Sequence, residues 1–215
     1  MQNYINVVLF TTIVNKMTTL TKITEEIVSL FHQNGNMPIH LREISRKLNL
    51  EGQSITRYLN KLEKEKILVV EREGNLKKYF LKNKDEVYSI LSHLDIKKYL
   101  KLPVIRKQAI EYFLNSLDEK PIIALLFGST AKETFTNQSD IDILLIVNTK
   151  INTIKAKKYV DSQTAQIIND FQISFNDFQK QLKLKEDPVI ESAVKTGYPL
   201  TNHITYYRCL KNENI

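Results

Sequence analysis

Residues 125–147 read LLFGSTAKETFTNQSDIDILLIV. An unbroken apolar run ends at Gly128-Ser129, and after ten intervening residues Asp140-Ile141-Asp142 opens a second one. Short apolar runs bounded by turn residues predict buried strands, here Ile122 to Phe127 and Ile141 to Val147. At a strand end, glycine lets a phosphate approach the backbone. The Ser129 hydroxyl and the first amides of a following helix, expected from about Thr130, would bind that phosphate. Asp140 and Asp142 are two positions apart on a strand, so their side chains leave the same face and can share a divalent cation. Magnesium, or manganese in its place, suits a pair of carboxylates completed by nucleotide phosphates and water. The competing reading makes Ser139-Asp140 a turn cap and Asp142 a surface residue. Against it, two acids beside an otherwise apolar strand are costly without a partner.

This stretch is similar to the minimal nucleotidyltransferases of the DNA polymerase beta superfamily, whose signature is Gly-Ser, ten residues, Asp-x-Asp. Gly128, Ser129, Asp140 and Asp142 match every signature position. The resemblance covers about Pro121 to Tyr207, including the closing segment VKTGYPLTNHITYY, residues 194–207. It implies transfer of a nucleoside monophosphate from a nucleoside triphosphate to an acceptor hydroxyl, with release of pyrophosphate. On that implication Gly128 and Ser129 hold the triphosphate, Lys132 neutralises it, and Asp140 and Asp142 bind magnesium. The family's third carboxylate comes from a later strand, here DFQISFNDF, residues 170–178. Gln172 and Ser174 are the expected inward positions, with Asp170 just before them and Asp177 just after. Either a register shift brings Asp170 into the site, or this copy binds nucleotide and metal without efficient turnover. Acceptors known for the family include proteins, as in toxin-antitoxin pairs, and small molecules such as antibiotics.

The chain upstream has a different character. Apolar residues Ile23, Ile27, Leu30 and Phe31 recur at helical spacing before Asn34-Gly35-Asn36 closes the helix, and Met37-Pro38-Ile39 makes an extended entry. A short helix is expected from Leu41 to Leu48, burying Leu41, Ile44 and Leu48. After a turn at Asn49 to Gly52, a second runs from Gln53 to about Lys66 with Ile55, Leu59 and Leu62 on one face. Ile67 to Glu73 and Lys77 to Leu81 read as strands around the hairpin signal Gly74-Asn75. The segment LREISRKLNLEGQSITRYLNKLEKEKILVVEREGNLKKYFL, residues 41–81, resembles the winged helix-turn-helix domains of bacterial and archaeal transcription regulators. The second helix would then lie in the major groove of double-stranded DNA, presenting Gln53, Ser54, Thr56, Arg57, Asn60 and Lys61. Arg57 suits guanine and Asn60 adenine, because their paired polar groups match those base edges. Arg72, Lys77 and Lys78 would touch phosphates from the wing. The alternatives are an ordinary solvated face, a protein-docking module or a dimerisation element.

With 215 residues and 42% apolar content the chain can build two modest cores. The expected architecture is a two-domain α+β and α/β protein, its C-terminal part a short mixed sheet flanked by helices. Residues 1–20 form an extension, 21–84 the winged helix-turn-helix, 85–120 a helical connector broken near Pro103, and 121–215 the nucleotidyltransferase-like domain. Lys150 to Ile168 is expected as a polar helix, Gln172 to Phe175 as a third strand and Asp177 to Lys195 as a final helix. A net charge of +7 and a pI near 9.3 indicate that some face meets an anion such as nucleic acid. One cysteine, Cys209, excludes an internal disulfide and a cysteine-based zinc site and fits a reducing, cytoplasmic interior. His32, His40, His93 and His203 lack ligand spacing. Ile5 to Val14 is too short to span a bilayer, so no membrane partner is expected. It reads as an added helix or strand, a dimerisation arm, or an upstream extension to a start at Met17. It or the helices of 85–117 would serve a homodimer. Two functions follow: a magnesium-dependent nucleotidyltransferase localised by its winged helix, or a transcription regulator using a degenerate domain of that fold as a nucleotide sensor.

Overall fold

A computed structural model describes residues 21–34 and 37–212. The apolar stretch Ile5 to Val14, Met17 and the Gly35-Asn36 helix stop lie outside those residues. Backbone contacts divide the chain into two units between Leu94 and Asp95.

The first unit begins with α1 (Lys22–Gln33), capped by Thr21, whose hydroxyl accepts from the Thr24 amide at 3.3 Å. A short strand β1 (Ile39–His40) leads into α2 (Leu41–Leu48), which ends at Asn49 with a left-handed φ of 50°. Helix α3 (Gly52–Lys64) follows, and β2 (Leu68–Glu73) and β3 (Leu76–Leu81) form an antiparallel hairpin. Sheet order is β1-β3-β2. Ile55, Leu59 and Leu62 bury the inner face of α3 as their helical spacing demands. In α2 only Ile44 is fully buried, while Leu41 and Leu48 at the ends of this short helix are half-buried.

Helix α4 (Asp85–Lys101) ends before Pro103, and α5 (Val104–Asn115) starts after it. The expectation of a mere connector over 85–120 is corrected by burial. Leu102, Ala109, Ile110, Phe113 and Leu117 belong to the same core as Ala124, Leu126, Ile143 and Leu145. Strand β4 (Ile123–Phe127) is buried throughout and runs into a single helical turn, α6 (Gly128–Ala131). That turn begins two residues earlier than expected and is one turn long. After β5 (Ile141–Val147), helix α7 (Ile154–Thr164) is shorter than the sequence suggested, because Ala165 turns left-handed and the chain re-enters the sheet. The third strand, β6, spans Ile168–Ser174 and thus starts four residues before Gln172. The expected final helix is two: α8 (Phe175–Leu184) and α9 (Pro188–Thr196), separated by left-handed Lys185. Proline at the first position of α9, capped by the Asp187 carboxylate, starts a helix and cannot continue one. Strand β7 (Tyr198–Pro199) and helix α10 (His203–Asn212) complete the unit, with Cys209 buried.

Sheet order is β6-β5-β4-β7, with β5 and β6 parallel and the other pairs antiparallel. Alternation along the strands gives two apolar faces. One, carrying Leu126, Ile143 and Leu145, packs on α5 and α7 through Ile110, Phe113, Ala156 and Val160. The other carries Leu125, Leu144 and Ile146, and α8 and α9 supply Phe178, Leu182, Ile190 and Ala193 beside the strands. No described helix is long and apolar enough to cross a membrane.

Candidate active site

The ladder aligns Phe127 with Asp142 and Asp142 with Asn169, so those three side chains share one face of the sheet. Asp140, two residues before Asp142, joins the same face. The two carboxylates converge on one group: Asn169 Nδ2 donates to Asp140 Oδ2 at 2.9 Å and to Asp142 Oδ1 at 3.5 Å. Gly128 closes the site from the end of β4, with φ of +69°. A Cβ on residue 128 would lie 3.1 Å from Asp142 Cγ and closer still to Oδ2, so only glycine lets the turn rest against the carboxylate. Ser129 is half-buried in that turn and Lys132 is exposed one residue beyond it. Burial raises the Asp142 carboxyl above the usual carboxylate range, and the Asp140 charge adds to that, while the Asn169 hydrogen bond opposes it.

A buried cation holds the loop between the two motifs. Arg106 of α5, 2% exposed, donates to Thr130 Oγ1 at 2.8 Å and to the carbonyls of Thr136 and Ser139 at 2.9 and 2.8 Å. Its guanidinium also lies 4.2 Å from the Phe135 ring centroid. Thr130 Oγ1 in turn donates to the Asp140 carbonyl at 3.4 Å. Residues 130–140 are therefore pinned from beneath, and Asp140 with them. The sequence offered no sign of this, because Arg106 is distant in the chain and looks like one of many basic residues.

Asp170 does not enter the site. It aligns with Ile143, and that residue faces the helices α5 and α7. There its carboxylate, 5% exposed, meets Lys157 Nζ at 2.7 Å, the Thr153 hydroxyl at 2.9 Å and Gln172 Nε2 at 3.1 Å. Burial alone would raise its carboxyl, yet the hydrogen bonds from Lys157, Gln172 and Thr153, with the Lys157 charge, hold it below the usual range. Gln172 shares that face and clasps Ile151 through its backbone N–H and carbonyl, both at 2.9 Å. Ser174 caps α8 by accepting from the Asp177 amide, and Asp177 pairs with Lys180 at 3.0 Å on the surface. The inward residue that sequence reasoning missed is Asn169. Placing the strand start at Gln172 left it outside the strand.

Among the described residues no three histidine, cysteine or carboxylate side chains converge. The donor set at residues 140, 142 and 169 still fits a hard divalent cation: two oxygen-donor carboxylates, one of them partly desolvated, beside an amide. Residues 107–201 match the family model described as Polymerase beta, Nucleotidyltransferase. By that match the segment is similar to the nucleotidyltransferases. No curated protein and no solved structure matches the chain. The matched segment begins within α5, earlier than the Pro121 boundary read from sequence, and this agrees with α5 sharing a core with the strands.

In the first unit, Gln53, Ser54, Arg57, Asn60 and Lys61 are exposed on α3. Thr56 is half-buried and its hydroxyl bonds back to the Gly52 carbonyl at 2.6 Å, while Lys61 lies 3.8 Å from Glu65. Arg72 and Lys77 face each other across the hairpin and share one side of it. Lys78 projects from the opposite side, half-buried and ion-paired with Glu73. The basic triad expected at the wing is thus divided between two faces.

Proposed function

We propose that this protein is a magnesium-dependent nucleotidyltransferase that moves a nucleoside monophosphate from a nucleoside triphosphate to an acceptor hydroxyl of a protein or small molecule. The observation that carries the reading is the convergence of Asp140 and Asp142 beside the Gly128-Ser129 turn. Asp140 and Asp142 would hold the cation, whose contribution when bound is to neutralise phosphate charge. Gly128 leaves room for a phosphate to approach the turn, Ser129 offers its hydroxyl, and Lys132 brings a positive charge to the triphosphate. In the reaction the acceptor oxygen bonds to the α-phosphorus and the bond to the bridging oxygen breaks, with pyrophosphate leaving. No described carboxylate stands where a third acid would receive the acceptor's proton, so that proton passes to solvent or to a base on the acceptor.

Asn169 favours a second reading. An amide at position 169 suits a domain that binds nucleotide and turns over slowly, acting as a sensor for the DNA-binding unit. In either case the first unit would act as a winged helix-turn-helix on double-stranded DNA, a reading supported by its order of helix, turn, helix and hairpin and by the exposed Arg57 and Asn60. A cytoplasmic homodimer fits both readings.

The test is incubation of the full chain with α-labelled nucleoside triphosphates, magnesium and candidate protein or small-molecule acceptors, alongside Asp142→Ala. Transfer of label by the wild type and none by the variant supports the enzyme. Nucleotide binding that depends on Asp142 without any transfer supports the sensor. Absence of both refutes the site.

A further inference from the structure

Asn169 is held in the middle of β6, in register with Asp142, and its Nδ2 is the donor shared by both carboxylates. Its Oδ1 accepts no hydrogen bond from a described residue. A primary amide has one donor end and one acceptor end, exchanged by a half-turn about its terminal torsion, which is broad and roughly two-fold. We propose that Asn169 is a reversible partner of the cation site, its Nδ2 bridging Asp140 and Asp142 when no cation is bound and its Oδ1 turning to face a divalent cation when one is. The inference rests on the reading of Asp140 and Asp142 as cation ligands.

Three physical points support it. Two carboxylates beside one another, one of them partly buried, need a positive partner when no cation is present, and the partial charge on Nδ2 supplies it. The backbone of residue 169 is fixed by the parallel ladder, so the amide can rotate but cannot withdraw. Turning Oδ1 toward the cation breaks no hydrogen bond that it accepts from a described residue. Carbonyl oxygens of asparagine are ordinary ligands for hard cations. An aspartate at this position would bind a cation more strongly but leave three carboxylates facing each other without one.

The experiment is titration of manganese into the full chain in the presence of saturating α,β-methylene-ATP, comparing wild type, Asn169→Ala, Asn169→Asp and Asp142→Ala. Thermal unfolding of each is measured in EDTA. Loss of the amide should weaken manganese binding by about 10- to 100-fold, the range for groups that support a metal site, and should lower the EDTA midpoint. Asn169→Asp, which preserves shape, should tighten manganese binding while lowering the EDTA midpoint at neutral pH. In the wild type, the side-chain amide NMR signals missing from Asn169→Asp should shift when magnesium is added with the analogue. Unchanged manganese affinity in Asn169→Ala, with Asp142→Ala impaired, would overturn the role of Asn169 alone. Absence of binding by the wild type, or binding indifferent to Asp142→Ala, would overturn the cation site itself.

Discussion

The Asp142 carboxylate fills the space that a side chain on residue 128 would need, so Gly128 and Asp142 form one packed unit. Gly128→Ala therefore suffers twice. The left-handed backbone costs a non-glycine residue about 1–2 kcal/mol, and the new methyl displaces the Asp142 carboxylate. The expected result is lowered stability to chemical denaturation together with loss of nucleotide binding. A variant that is destabilised but binds nucleotide normally would show that Asp142 can move without consequence.

Arg106 is the anchor of the loop that carries Asp140. Arg106→Met removes donors from a hydroxyl and two carbonyls, a loss on the order of 3 kcal/mol for buried groups left unpaired. Arg106→Lys keeps the charge but cannot span three acceptors with a rigid fork, so an intermediate loss is expected. Denaturant titration of the two variants checks the ranking. Manganese affinity should fall in the same order.

Asp170 belongs to the structural face of the sheet. Asp170→Asn should leave nucleotide and manganese binding unchanged while reducing stability by roughly 1–3 kcal/mol, as expected for losing charged hydrogen bonds. Its folded carboxyl is held low, so its contribution is present above the unfolded carboxylate range near about 4 and is lost as pH falls through the folded value. The difference between wild type and variant should accordingly shrink in acid. Loss of manganese binding in Asp170→Asn would contradict the face assignment.

Asp95 titrates in the opposite sense. It is 0% exposed, accepts from the Tyr207 hydroxyl at 2.5 Å, and has its carboxyl raised to about 7 chiefly by burial. The folded state holds the proton more tightly than the unfolded one, so stability from this group is fullest below about pH 4. It declines as pH rises toward about 7. Asp95→Asn should thus gain on wild type as pH rises across that window. A pH-independent difference in unfolding free energy would refute the assignment.

At the proposed DNA surface, Arg72 and Lys77 share a face while Lys78 is tied to Glu73. Arg72→Ala and Lys77→Ala should each weaken duplex binding and reduce the salt slope by about 0.9 for each phosphate no longer neutralised. Lys78→Ala should change it less. Equal effects of all three, or binding indifferent to salt, would count against this surface.

Local chemistry legible in the chain determined the strands around Gly128-Ser129 and Asp140-Ile141-Asp142, the shared face of the two aspartates, and the helices and hairpin between Lys22 and Leu81. Alternation, helical periodicity and turn residues act over a few positions, and each of these features is that local. The third inward residue was decided elsewhere. Gln172 and Ser174 were expected inward, but pairing with β5 from Ile168 onward put Asn169 beside Asp142 and turned Asp170, Gln172 and Ser174 to the other face. A shift of one residue exchanges the faces of a strand, and that choice belongs to the partner strand and to the apolar layers on either side. Arg106 follows the same logic, since its acceptors lie 24 to 33 residues along the chain and meet it only when the sheet has formed.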